Sequence, residues 1–121
     1  RIGYRLQGPA IQHTGGADII SDGIPFGAVQ VTGDGMPIVL LADRGTTGGY
    51  TKIATVISVD ISSLAQASPG DTVTFHAVSV EEAHQALREQ EETIRQLFVL
   101  KRSPLGWRVV REMWQAGDFG K

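Results

Sequence analysis

The sequence contains no cysteine at any of its 121 positions. That absence removes disulfides, thiolate nucleophiles, Cys-ligated zinc and iron–sulfur clusters together. It fits a reducing compartment, and a cytoplasmic location is the expectation. Aromatic residues are few, at 7%, and charged residues make up only 20% of the chain. With a formal net charge of -2 there is no electrostatic basis for binding nucleic acid or an anionic membrane. Long hydrophobic runs are missing as well. The longest strongly apolar stretch, Pro37–Ala42, falls far short of the ~20 residues that span a bilayer. No basic segment followed by an apolar one opens the chain in the manner of a secretory signal. The chain begins at Arg1 rather than methionine, so either it lies inside a longer protein or a leader has been removed.

What is present reads as one soluble, β-rich domain. A hydrophobic content of 41% fits an ordinary globular protein, and a chain of this length buries roughly two-thirds of the surface it exposes when unfolded. Glycine and proline concentrate in the first 70 residues, predicting short strands and tight turns followed by a helical end. Strands are predicted over Ile2–Leu6, Ala28–Val31, Pro37–Leu41 (buried on both faces), Ile53–Val59 and Thr72–Ser79. Thr32–Gly35 reads as a turn with glycine where φ is positive, and Gln12–Ala17 as a loop. Ser62–Ala67 reads as one or two helical turns. From Ser79 the period changes: Val80, Ala83, Leu87, Ile94 and Leu97 fall at helical spacing. Ser79 and Glu82 form a capping box ahead of this helix. The tail from Phe98 contains a turn at Ser103–Gly106 and a strand or short helix over Trp107–Trp114.

Few residues carry a recognisable chemistry. His13, His76 and His84 are too scattered for metal binding, and there is no His-Glu-x-x-His, Gly-x-Ser-x-Gly or Gly-rich phosphate loop. Ser21-Asp22-Gly23 reads as a turn in which Asp22 bonds its own backbone, or as a loop beside a pocket into which Gln30 points. The richest segment is Asp43–Lys52, with Arg44, two hydroxyls at Thr46 and Thr47, Gly48, Gly49, Tyr50 and Lys52 in ten residues. As a loop held by a buried strand, its glycines would free main-chain N–H groups to converge on an anion or carbonyl oxygen, with Lys52 or Arg44 adding charge. The same residues also read as a plain hairpin loop with Tyr50 packed inward.

Four blocks bear on these alternatives: RIGYRLQGP, SDGIPFGAVQV, GMPIVLLADRGTTGGYTKIATVISVD and PGDTVTFHAVSVEEA. In this order they resemble the C-terminal half of subunits in the biotin-dependent carboxyltransferase family. That family includes allophanate hydrolase subunit 2, the carboxyltransferase region of urea carboxylase, and one of the subunits of 5-oxoprolinase. The resemblance implies a mainly-β fold, a cyclophilin-like β-barrel closed by the C-terminal helix over residues 1–97, with 98–121 as a tail. It implies a component of a small-amide-processing enzyme in nitrogen metabolism, either a carboxyltransferase or an ATP-dependent hydrolase of the 5-oxoprolinase type. The partner would be a subunit of the allophanate hydrolase subunit 1 type, and the substrate a small amide or ureido group. Carried over by motif, Thr46, Thr47, Gly48, Gly49 and Tyr50 would line the ligand site. Arg44 and Lys52 would bring positive charge, with Gln30 and Asp22 on neighbouring strand ends. The chain departs from the family pattern at Gly45, usually Gln, and at Thr51 and Thr32, usually Pro. It has no biotin-attachment Met-Lys and no ATP-binding loop, so biotin or ATP would come from the partner. One family branch instead acts by protein contact on an inhibitor of a sporulation kinase, which makes a non-catalytic interaction module the alternative. The aromatic tail, with Phe98, Trp107, Trp114 and Phe119, reads as an interface that could form a homo-oligomer.

Overall fold

The computed structural model describes residues 1–97, 101–103 and 106–108. The chain divides into two compact units, residues 1–74 and 75–121.

The first unit is built on the two short apolar strands. β3 (Ala28–Val31) is buried along its whole length, and β4 (Pro37–Leu40) is half-buried at its start and buried at its end. Their register sets Val29 opposite Val39 and Gln30 opposite Ile38. The turn between them works as the sequence predicts. Gly35 has φ +78, and the Asp34 carboxylate takes the Thr32 hydroxyl and the Met36 N–H. Those bonds hold the Asp34 carboxyl below its usual range, the Thr32 hydroxyl contributing most. Val31 and Val39 are the largest fully buried side chains, each worth roughly 1.5–3 kcal/mol of burial.

Three further strands complete an all-antiparallel sheet in the order β1-β4-β3-β5-β2. They are β1 (Gly3–Arg5), β5 (Thr47–Thr55) and β2 (Asp18–Gly23). Among the described residues β1 and β2 are free edges, so the five strands form an open sheet rather than a closed barrel. On one face Ile24, Ala28 and Leu40 cluster with Ile38. Beside β1, Tyr4 donates its hydroxyl to the carbonyls of Ala65 and Ala67 at the end of α1 (Ile61–Ala65).

Four predicted elements come out differently. The turn expected at Ser21-Asp22-Gly23 is the end of strand β2. The run Asp43–Lys52 is a loop only at its start, because Thr47–Lys52 lies in β5. The predicted strand Ile53–Val59 is the far end of β5 as far as Thr55, followed by a 3-10 turn at Ser58–Asp60. Thr72–Ser79 is not a strand, despite its alternating pattern. Alternation sorts faces, but a strand also needs a neighbour to take its backbone bonds, and this segment pairs with none among the described residues.

In the second unit, α2 (Val80–Leu97) follows the predicted periodicity. The capping box is formed: Ser79 Oγ accepts from the Glu82 N–H at 3.1 Å, and Glu82 Oε2 from the Ser79 N–H at 2.6 Å. The second bond depresses the Glu82 pKa. β6 (Lys101–Ser103) and β7 (Gly106–Arg108) pair with Ser103 opposite Gly106. The interface expected of Phe98, Trp114 and Phe119 lies outside the described residues.

Candidate functional site

Seven of the nine sequence-predicted site residues, all but Arg44 and Thr46, lie on the β2–β5 ribbon or its junction with β3. β5 pairs with β2 through Thr47–Tyr50 and with β3 through Thr51–Thr55. Glycine is what allows the ribbon to form. Asp22 faces Gly48 and Asp18 faces Tyr50, which leaves Ile19–Ser21 opposite Gly49 alone. This is a bulge at a point of close backbone approach, where strand glycines characteristically occur. A Cβ on Gly49 would stand 3.2 Å from the Ile19 carbonyl oxygen. At Gly48 the space a Cβ would take is filled by Ile24 Cδ1, 2.8 Å from that point, and by Gln30 Nε2 at 3.2 Å.

Directly opposed residues share a face, so the pairings Gln30–Lys52 and Asp22–Gly48 bring four predicted site residues together. Gln30 is buried at 6% exposure. Its Nε2 makes one long bond, 3.5 Å, to the Tyr50 carbonyl. Lys52 has its side chain 18% exposed and Asp22 71%, with Lys52 Nζ 3.4 Å from Asp22 Oδ2. That separation makes an ion pair. Lys52 Nζ is shut off from solvent and has no hydrogen-bond partner among the described residues. Asp22 is anchored from its other oxygen, where Oδ1 accepts the Gly23 N–H at 2.7 Å. The Gly23 bond first, and the Lys52 charge second, lower the Asp22 pKa and so favour its ionised form.

The remaining predicted residues are placed otherwise. Arg44 is engaged with other partners. Its Nε donates to the Ile24 carbonyl at 3.0 Å, one terminal nitrogen donates to the Leu41 carbonyl at 3.3 Å, and the guanidinium lies 5.4 Å over the Phe26 ring. It braces the Asp43–Thr46 turn against the segment after β2. Thr46 accepts the Ile24 N–H through its carbonyl, and its side chain and that of Thr47 are exposed. Tyr50 has an exposed ring, so it does not pack inward as the plain hairpin reading required. Ile24 and Phe26 were not singled out by sequence reasoning, and their contacts with Gly48 and Arg44 span too many residues to leave a local signal.

Other candidates are weaker. His13 Nε2 donates to the Thr32 carbonyl at 2.9 Å, a structural bond. His76 and His84 are exposed. A cleft of about 230 Å³ lined by Tyr4, Phe26, Leu41 and Ile61 among others is mostly apolar, and it contains none of the residues around Lys52. Among the described residues no group of His, Asp and Glu is placed to hold a metal, and no helix is long and apolar enough to cross a membrane.

The ribbon lies within a stretch that known proteins share. Residues 1–77 match the model of the carboxyltransferase domain, subdomain A and B. The chain is 47% identical over 91 residues to a 5-oxoprolinase subunit of Haemophilus influenzae, covering 75% of this chain and 29% of that protein. It is 43% identical over 97 residues to the corresponding 5-oxoprolinase subunit of Escherichia coli, covering 80% and 31%. Urea amidolyase of Lachancea kluyveri is 31% identical over 72 residues, covering 60% of this chain and 4% of that protein. The chain therefore spans about three-tenths of the length of its bacterial relatives, less than the half that the resemblance implied. With the family model covering well over half of its residues, this chain belongs to the carboxyltransferase domain family, subdomain A and B.

Proposed function

We propose that this chain forms part of a small-amide-processing enzyme of the 5-oxoprolinase type, acting in the cytoplasm with a partner subunit of the allophanate hydrolase subunit 1 type. In this reading the open sheet is one part of a cyclophilin-like barrel completed by the rest of the subunit. The oxoprolinase type is favoured over the urea-carboxylase type because identity is 43–47% to the former and 31% to urea amidolyase.

The observation that carries the proposal is the Lys52 ammonium. Its one partner among the described residues is the exposed Asp22 carboxylate at 3.4 Å, and a buried donor whose hydrogen-bonding capacity is left unfilled costs about 1–3 kcal/mol, more when charged. Proteins keep such groups where a ligand completes them. A lactam or ureido carbonyl oxygen is a suitable acceptor, and it gains negative charge as the amide reacts. Lys52 would then hold and polarise that oxygen, with Gln30 and the Gly48 backbone forming the wall behind it. The chain has no Met-Lys attachment sequence and no phosphate loop, so biotin or ATP would be brought by the partner.

The test is Lys52→Met in the protein assembled with its partner, assayed for ATP-dependent pyroglutamate hydrolysis. Losing one preorganised donor to a developing oxyanion costs ~100- to 1,000-fold in kcat, and a loss of that size is expected with the complex intact by size exclusion. Turnover within threefold of the wild type would remove Lys52 from the site. A protein that has a partner but no amide turnover before any substitution would instead support the interaction-module reading.

A further inference from the structure

Resting on that reading of Lys52, we propose that Lys52 and Asp22 together read one edge of a neutral amide, the O=C–N–H edge of a lactam or urea, and exclude free carboxylates from the same place.

The pair has one donor pole and one acceptor pole. An ammonium only donates and an ionised carboxylate only accepts. Lys52 Nζ has no hydrogen-bond acceptor among the described residues, and Asp22 Oδ2 is the carboxylate oxygen turned toward it at 3.4 Å, Oδ1 being held by the Gly23 N–H. From peptide bond lengths, the oxygen and nitrogen of one amide are about 2.3 Å apart. Two hydrogen bonds converging slightly from poles 3.4 Å apart therefore reach both atoms of one amide edge. The carbonyl oxygen meets Nζ, and the N–H meets Oδ2.

Access comes from the Asp22 side. Asp22 is the exposed member of the pair, anchored by a single backbone bond, so its carboxylate can pivot about Oδ1 to admit the ligand. Exposed side chains make such rotations in picoseconds to nanoseconds. The ionised state needed for the acceptor role is the one its surroundings favour, since the Gly23 N–H and the Lys52 charge both depress its pKa.

Two kinds of selectivity follow. The pair is neutral overall, so a neutral dipole adds to it without a charge penalty. A carboxylate would meet Asp22 a few ångströms from Lys52, and like charges at that distance repel. The second concerns amide geometry. A lactam or urea presents C=O and N–H on one edge, whereas a trans secondary amide points them in opposite directions.

The experiment uses the protein assembled with its partner, with 2-pyrrolidinone, N-methylacetamide and acetate as competitors of turnover. With wild-type protein, 2-pyrrolidinone should compete at least ~10-fold better than either of the others. In Asp22→Ala the advantage over N-methylacetamide should vanish, and acetate should compete at least ~10-fold better than it does with the wild type. Asp22→Asn, which keeps an acceptor oxygen without the charge, should gain acetate binding and retain the preference over N-methylacetamide. Equal competition by acetate and 2-pyrrolidinone in the wild type would overturn the proposal, as would ratios unchanged in Asp22→Ala. If Lys52→Met abolishes turnover and Asp22→Ala leaves these ratios alone, Lys52 remains in the site and only the amide-edge reading fails.

Discussion

The inner and outer strands of the sheet follow opposite rules. β3 and β4 are apolar, short and regularly paired, with Val31 and Val39 at zero exposure. β2 is exposed at every residue, and the β2–β5 pairing slips at a bulge. Yet the buried cation of the sheet stands on the outer ribbon, closed in by Gln30 from the inner one. Stability sits where strand chemistry is ordinary, and the candidate chemistry sits where glycine and polar residues replace it. The core can be rebuilt from any well-packed apolar residues, whereas the ribbon depends on particular side chains at particular register positions.

The largest effect on stability should therefore come from the inner strands. Val39→Ala removes two methyl groups from a fully buried position between β1 and β3. The lost transfer energy plus the cavity amount to ~2–3 kcal/mol, lowering Tm by on the order of 10 °C. Calorimetry on the purified protein measures this. A drop of only a degree or two would mean that the inner pair is not the anchor of the sheet.

The same contrast explains what was legible in the sequence. Ala28–Val31 and Pro37–Leu40 are apolar runs whose burial follows from composition, and the Ser79/Glu82 box announces its helix through local chemistry. β2 is not legible, because Ser21-Asp22-Gly23 at its end reads as a turn when its partner strand is unknown. The bond that the Gly23 N–H donates to the Asp22 carboxylate is real, but it sits inside a strand, and Gly23 is not among the positive-φ glycines. Likewise Thr47–Tyr50 looks like a flexible loop until a neighbour arrives close enough to require glycine. The residue types of the candidate site could be picked out beforehand. The ion pair of Asp22 with Lys52, and the diversion of Arg44 onto Phe26, depend on register and could not.

An intermediate effect, opposite in sign, is expected on the outer ribbon. Lys52→Met keeps the aliphatic stem and removes an ammonium that is buried without a hydrogen bond. Replacing a buried charge with a well-packed apolar group is often neutral or stabilising, and Asp22 is left in solvent, where it needs no partner. Thermal unfolding should show stability unchanged or higher by about 1 kcal/mol, even as turnover falls. A destabilisation of ~3 kcal/mol would instead make the ion pair a structural brace, and the contrast between anchoring core and functional ribbon would blur.

The smallest effect should come from the bulge itself. Ile20 is 93% exposed and belongs to the three residues of β2 set against Gly49. Its side chain has little to lose on truncation, and surface changes of this kind usually stay within ~0.5 kcal/mol. Ile20→Ser should therefore leave unfolding of the isolated protein unchanged within that margin. Repeated on the protein assembled with its partner, the same measurement asks more of the comparison. If stability falls by more than ~1 kcal/mol only in the assembly, Ile20 is buried there, and the outer ribbon has a second packing surface in addition to its chemistry. If it stays unchanged in both states, the exposed face of β2 is free, and the importance of the ribbon rests on Lys52 and Asp22 alone.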